Sequence, residues 1–336
     1  MKKQALTAAG LLAGGLTLST AGVYHLAFHS PNRVQNDDKN LPPGEQMAAF
    51  RDKTLANIEK LQAMPYERVT ITSRDGLTLA GRLFMQDPEA PLAIGFHGYR
   101  GTPFRDFSGG ALFYLSQGMN LLLAEQRAHL SSEGHTITFG VQERYDCLAW
   151  TRWAVERFGE DRPFVLCGIS MGAATVLLAS ALPLPQNVRG IIADASYTSP
   201  EAIIRKVCRE DMHLPDGLAW PLVLAGARTF GRFDPRGTDV CEAVRQSKVP
   251  ILLFHGEDDR FVPCEMGRQI AAANPEKITF LTFPGAGHGL SMLVDEERYT
   301  GAVREFLGRV LEDYRRNGTV SPVSVRESRV PEASKA

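Results

Sequence analysis

Residues 164–175 read Phe-Val-Leu-Cys-Gly-Ile-Ser-Met-Gly-Ala-Ala-Thr, and no other stretch restricts the fold so tightly. Four residues of apolar character ending at a glycine predict a buried strand. The small residues after Gly172 predict a helix packed closely on its neighbours. Between them stands Gly168-Ile169-Ser170-Met171-Gly172. A turn this sharp brings backbone against backbone, so side chains at 168 and 172 would clash with their surroundings. The serine is left in the open at the strand's carboxyl end, above a helix start whose first N–H groups have no intrahelical partner.

The rest of the chain supplies the sheet that such a turn needs. Short apolar runs at 92–96, 120–124, 164–167, 188–193, 251–254 and 278–283 alternate with helical patterns at 104–118, 140–158, 171–182, 264–273 and 294–316. That rhythm predicts an α/β fold with a mostly parallel sheet covered on both faces. Two alternating stretches, 69–73 and 77–84, flank Asp75-Gly76 and predict an antiparallel hairpin ahead of it. Apolar positions at Met47, Phe50, Leu55, Ile58 and Leu61 predict an outer helix over 44–63. The domain is expected to span 44–316. Residues 197–248 break the rhythm, and a long insertion between two strands is usually functional; this one is expected to form a small helical cap. Residues 317–336 are polar and aperiodic, which predicts a disordered tail.

The 336-residue chain is 44% hydrophobic, with a formal net charge of −1. A core of ordinary size follows, and nothing in that balance suggests a nucleic-acid partner, which would want a basic face. The five cysteines (147, 167, 208, 241 and 264) form no CxxC pair and no ligand cluster, so no metal and no cofactor are expected. At the N-terminus, Lys2 and Lys3 precede a stretch from Ala5 to Phe28 without Asp, Glu, Lys or Arg. Its length suits a bilayer-spanning helix. It is read as an uncleaved signal-anchor over 1–28, with 29–43 as a polar tether. That reading places the domain outside the cytoplasm at the cell membrane, the alternative being a secreted protein.

Ser170 becomes a nucleophile only if a base takes its proton. Of eight histidines, only His288 follows the serine turn within a glycine-bracketed loop, Phe283-Pro-Gly-Ala-Gly-His288-Gly289. A base also needs a carboxylate to fix its tautomer. The stretch after the strand at 251–254 offers Glu257, Asp258 and Asp259. An oxyanion needs two N–H donors; the Met171 amide is one, and the loop His97-Gly98-Tyr99-Arg100-Gly101 supplies the Tyr99 amide as the other. His97 precedes the serine turn and is read as shaping that loop.

These motifs together resemble the α/β-hydrolase superfamily, over roughly residues 66–312. They are most similar to bacterial membrane-anchored or exported serine hydrolases related to monoglyceride lipases and prolyl-oligopeptidase-type domains. In that light Gly-x-Ser-x-Gly is a nucleophile elbow, and the spacing His255-Gly-x-x-Asp259-x-x-Val262-Pro263 selects Asp259 as the acid. Asp194 is the position where other lineages place it. Glu125-Gln-Arg127-Ala128-His129-Leu130-Ser131 resembles a loop in which that group carries glycines at 128 and 130, so its backbone is expected to differ here. Glu143 and Asp146 are read as structural. The resemblance implies acyl transfer to water through Ser170, His288 and Asp259, on a small-molecule acyl substrate. Carboxylesterase or lysophospholipase-like activity leads, with peptidase or amidase next. A hydrolase-fold binding protein without catalysis is the rival of another class.

Overall fold

The central apolar runs become strands buried on both sides. In the computed structural model, which describes residues 15, 17–30, 38–312 and 314, eight strands form one sheet. They are β1 (Glu67–Thr72), β2 (Thr78–Phe84), β3 (Leu92–Phe96), β4 (Asn120–Ala124), β5 (Phe164–Ile169), β6 (Val188–Asp194), β7 (Ile251–Gly256) and β8 (Ile278–Phe283), in the spatial order β1-β2-β4-β3-β5-β6-β7-β8. β2 pairs antiparallel with both β1 and β4, and every later pairing is parallel. This is the predicted α/β fold.

Helices cover both faces. α1 spans 17–27, α2 is Glu45–Ala63, and α3 (Pro103–Asp106) with α4 (Ser108–Ser116) replaces the single helix expected at 104–118. Then come α5 (Glu143–Phe158), α6 (Met171–Ala179), α7 (Pro200–Lys206), a π-helical turn (Val207–Asp211), α8 (Asp216–Thr229), α9 (Val240–Arg245), α10 (Cys264–Ala273), α11 (Ser291–Val294) and α12 (Glu296–Val310). Successive residues of β5 serve different layers. Phe164 and Leu166 pack with α6, whereas Val165 and Cys167 face the layer that contains Phe306 of α12. With apolar neighbours on both faces, period-two alternation disappears and the strand reads as a continuous run.

Three features differ from expectation or refine it. The insertion after β6 is closed at its neck by Val240 N–H donating to Thr198 O at 2.7 Å. Its last helix, α9, packs on α6 and buries Val240 and Val244, so α7, the π turn and α8 are the part that rises over the carboxyl edge. All five cysteines are free thiols.

The transmembrane span expected over 1–28 is not supported. Among the described residues no helix is long and apolar enough to cross a membrane. Residues 1–14 and 16 lie outside the described set, but α1 is docked on the domain. Phe28 is fully buried between Phe139 and Phe233, with ring centroids 5.9 and 5.1 Å away. The Tyr24 and Thr136 hydroxyls are hydrogen-bonded at 2.7 Å. Nor are residues 29 and 30 a free tether, because His29 bridges to Thr136 and Ser30 N–H donates to His135 O at 2.8 Å. Hydropathy registers that these side chains shun water, not which apolar surface receives them. Further along the expected tether, Leu41 is buried in the core and Lys39 pairs with Glu59 at 2.8 Å; residues 31–37 and the expected tail at 317–336 lie outside the described residues.

Candidate active site

The parallel strands deliver six loops to one edge, at their carboxyl ends, where ligands bind in open α/β sheets. β5 ends in the serine turn. Ser170 has φ 56° and ψ −117°, a conformation that costs an L-residue on the order of 1–3 kcal/mol and is kept only where the surroundings enforce it. They do so here. A Cβ on Gly168 would lie 2.2 Å from Gly172 O, and one on Gly172 1.8 Å from Phe96 O, so only glycine lets β3, β5 and α6 converge. Ser170 N–H donates to Asp194 O at 2.8 Å and ties the turn to β6.

The structure brings the three expected residues together. His288 Nε2 lies 2.9 Å from Ser170 Oγ, and His288 Nδ1 lies 2.7 Å from Asp259 Oδ2. The two outer loops are laced to each other, with Glu257 N–H donating to Phe283 O and Asp258 N–H to Ala286 O, both at 3.0 Å. Asp259 is buried, while Glu257 and Asp258 are exposed. The other Asp259 oxygen, Oδ1, accepts the Phe261 and Val262 amides at 2.9 and 2.8 Å. Burial pushes this carboxyl up. Hydrogen bonds from His255 and His288, the charge of His288 and the Val262 amide outweigh it and hold the group down at about 2. Asp259 is therefore a carboxylate throughout the neutral range, as the partner of an imidazolium must be.

Asp194, the alternative acid, faces elsewhere. Its Oδ1 accepts the Ser291 hydroxyl at 3.0 Å. Burial pushes it up to about 6, against the Ser291 hydrogen bond and the nearby His255 and His288. Two carboxyls at one strand edge are thus pushed in opposite directions, and the lower belongs to the group that touches His288.

The loop after β3 presents Tyr99. Its neighbours' amides are taken up internally: Gly98 N–H donates to Asp106 Oδ2 at 2.7 Å, and Arg100 N–H to His129 Nε2 at 3.1 Å. Among the described residues the amides of Tyr99 and Met171 have no protein acceptor. His97 accepts from the Gln126 amide through Nε2 and donates through Nδ1 to Gly98 O at 2.9 Å. It is a neutral, fully buried scaffold residue, its proton affinity driven well down by burial and then by His129.

In the loop after β4, Ala128 and Leu130 adopt φ of 61° and 50°, left-handed values at which alanine and leucine are held under strain and glycine would not be. Buried ion pairs hold it. Glu125 meets Arg82 at 3.0 Å, and Arg127 grips Asp146 with two bonds of 2.6 and 2.7 Å. Glu143 accepts from Thr138 N and Gly140 N at 2.7 and 2.8 Å. Glu143 and Asp146 have the structural contacts expected of them.

Sequence reasoning missed four contributors. Phe261 sets its ring 5.1 Å from that of His288. His255 Nε2 stands 3.5 Å from Asp259 Oδ2. Asp106 and His129 fix the Tyr99 loop. Phe261 and His255 lie within four residues of Asp259 in sequence, which is a usable signal; Asp106 stands eight residues from Gly98, and His129 reaches Arg100 only from the loop of another strand. Among the described residues no group of His, Cys, Asp and Glu could hold a metal ion.

Fold and site together define an α/β protein with a serine–histidine–carboxylate chain at the sheet's carboxyl edge. Residues 94–302, well over half the chain, match the model of the alpha/beta hydrolase family, and the chain belongs to that family. It is 28% identical over 159 residues to Esterase LipC of Mycobacterium tuberculosis, covering 44% of this chain and 40% of that one. It is 25% identical over 250 residues to Protein bem46 of Schizosaccharomyces pombe, covering 73% and 77%. A match to the Bacillus subtilis protein YqkD covers 64% of that chain. The chain therefore spans less than two thirds of two of these relatives. A solved esterase of Pyrococcus furiosus superposes with a TM-score of 0.62 at 23% identity, over 84% of this chain and 98% of that one, which speaks to the fold.

Proposed function

We propose that the protein is a serine hydrolase of carboxylic esters that works through an acyl-enzyme on Ser170. The observation that carries this reading is the unbroken hydrogen-bonded chain from Ser170 Oγ through His288 to Asp259. His288 takes the Ser170 proton as Oγ attacks the carbonyl carbon. The carbonyl oxygen gathers negative charge in front of the Tyr99 and Met171 amides, worth about 3–4 kcal/mol per donor in sites of this kind. Asp259 stabilises the imidazolium. The proton then passes to the departing alkoxide, and water, activated by the same imidazole, cleaves the ester on Ser170.

Esters are favoured over peptides by the surroundings of Ser170. A cavity beside it is lined by side chains such as Ile203, Ile204, Leu222 and Val223, where peptide N–H and C=O groups would lose their hydrogen bonds to water without replacement. The lysophospholipase variant leaned on a membrane span and is not carried forward. A purely binding protein has no use for a strained serine aligned with a base and a carboxylate.

The test is reaction with a fluorophosphonate probe alongside hydrolysis of p-nitrophenyl acetate. The wild type is expected to be labelled and active, and Ser170→Ala to lose both, with a rate loss of at least ~10³-fold. Equal labelling of Ser170→Ala would remove Ser170 as the nucleophile.

A further inference from the structure

Two cavities meet at Ser170, and the chemistry distinguishes them. One, of about 250 Å³, is lined by Ser170, Tyr99, His288 and Gly289, and by Arg105 and Asp106. The other, of about 370 Å³, shares Ser170, Tyr99 and Phe261 but does not reach His288. The leaving oxygen must sit within hydrogen-bond reach of His288 Nε2 to receive its proton. The leaving group therefore lies in the first cavity, and the acyl chain in the second.

The second cavity has a wall from outside the hydrolase domain proper. Val23, Leu26 and Ala27 of α1 face Ile203, Leu218 and Leu222 of the cap across it. α1 is fastened there by the loop that carries Tyr99. The Tyr99 hydroxyl donates to Ala27 O at 2.9 Å, and the Arg100 guanidinium to Leu26 O at 2.9 Å and His29 O at 3.2 Å. Those of Leu26 and Ala27 are the last carbonyls of a helix, which lack intrahelical partners and carry the negative end of its dipole. At the mouth, Leu26, Met212, Leu214, Leu218 and Phe261 are each at least 40% exposed. Soluble surfaces seldom gather such side chains unless an apolar ligand crosses them.

From these contacts, and resting on the proposed esterase reading, we infer that α1 is the length-setting wall of the acyl pocket and that the substrate is a medium-chain acyl ester. The volume of about 370 Å³ is about two and a half times the ~150 Å³ that encloses the six carbons of a benzene, room for a medium-length acyl chain. Val23 lies within the pocket and Leu26 at its rim, so bulk at 23 shortens the accepted chain and bulk at 26 obstructs only the longest.

The experiment measures kcat/KM on p-nitrophenyl acetate, hexanoate, octanoate and decanoate for the full-length wild type, Val23→Trp, Leu26→Trp and Ile203→Trp. The wild type is expected to prefer octanoate to acetate. Val23→Trp should lower the octanoate-to-acetate ratio at least tenfold while acetate changes less than threefold. Leu26→Trp should lower decanoate at least fivefold and spare hexanoate. Should Val23→Trp fail to fold, Leu26→Trp carries the test, since its side chain is 59% exposed and bulk there needs no repacking. Wild-type ratios in the α1 variants, with a shifted ratio in Ile203→Trp, would leave the pocket but overturn α1 as its wall. Unshifted ratios in all three would overturn the pocket assignment. A wild type inert to every ester and to the fluorophosphonate would instead overturn the esterase reading itself.

Discussion

The substitution Asp259→Asn separates the charge of this side chain from its shape. The amide side chain would still accept the Phe261 and Val262 amides that Asp259 Oδ1 accepts at 2.9 and 2.8 Å, so the loop keeps its form. The atom facing His288 Nδ1 at 2.7 Å would no longer be a carboxylate oxygen. If the amide nitrogen turns towards the ring, Nδ1 becomes the acceptor, Nε2 carries the proton, and Ser170 faces a donor unable to deprotonate it. If the amide oxygen turned there, the NH2 group would face the Phe261 and Val262 N–H donors, so the first orientation is favoured; in either, the imidazolium of the transition state loses its counter-charge. Opposite charges about 4 Å apart, at an effective dielectric near 20, attract by about 4 kcal/mol, or about 10³ in rate. The tautomer penalty adds to this, and a fall in kcat of about 10³–10⁴ is expected on p-nitrophenyl acetate, with unchanged thermal stability at pH 8 to within a few degrees. Asp194→Asn, whose carboxyl meets Ser291 rather than His288, should lose less than tenfold. If Asp259→Asn kept activity within tenfold and Asp194→Asn lost a thousandfold, the acid would be Asp194 and the geometric argument would be wrong.

Two further outcomes follow from the same edge of the sheet. Burial first, and the neighbouring Asp259 charge, hold Asp194 up to about 6 against Ser291, His255 and His288. A carboxyl whose folded pKa is raised favours the native state least when ionised. Its penalty is absent below about pH 4 and complete above about pH 6, worth up to about 3 kcal/mol for a shift of this size. Asp194→Asn should therefore gain stability over the wild type at pH 7.5 relative to pH 4 in thermal melts; an equal difference in Tm at both pH values would contradict the assignment. Gly172→Ala places a methyl carbon 1.8 Å from Phe96 O, a clash with backbone that no rotamer relieves. It is expected to cost more than ~3 kcal/mol, roughly 6–12 °C in Tm, or to prevent soluble expression, and a variant with wild-type Tm and activity would show that the elbow relaxes freely.

The legible parts of this protein are those where chemistry demands a particular residue at a particular place along the chain. Gly168 and Gly172 stand where a Cβ cannot go, and His288 sits in a loop of glycines that lets an imidazole reach across the sheet edge. Asp259 was separable from Glu257 and Asp258 only through the family resemblance, by the pattern His255-Gly-x-x-Asp259-x-x-Val262-Pro263, and the structure supplies the physical reason: it alone of the three is buried, on two amides and two histidines. The strands were legible because burial on both faces erases polar residues from them. Legibility fails where a role is created by contact. Asp106 and His129 are ordinary residues in sequence, and they matter because Gly98 and Arg100 offer them amides. Ala128 and Leu130 sit at left-handed φ values, and the buried Arg127–Asp146 and Arg82–Glu125 pairs on either side hold the turns there.

The N-terminal segment shows the same limit on a larger scale, and the reason is thermodynamic. A run of apolar side chains is driven out of water at about 25 cal/mol per Å², and that force is indifferent to what receives them. A bilayer and a protein groove are equally good hosts for Phe28, whose burial against Phe139 and Phe233 leaves the same mark in hydropathy as burial among lipid tails. The two hosts differ in how they treat polar groups. A bilayer requires every backbone carbonyl to be satisfied within the segment, whereas α1 hands the carbonyls of Leu26 and Ala27 to Arg100 and Tyr99. Its Tyr24 hydroxyl is likewise bonded to Thr136. Those polar partners lie far along the chain, in the loops beside Ser170, and they fix the helix at the cavity where its apolar face is of use.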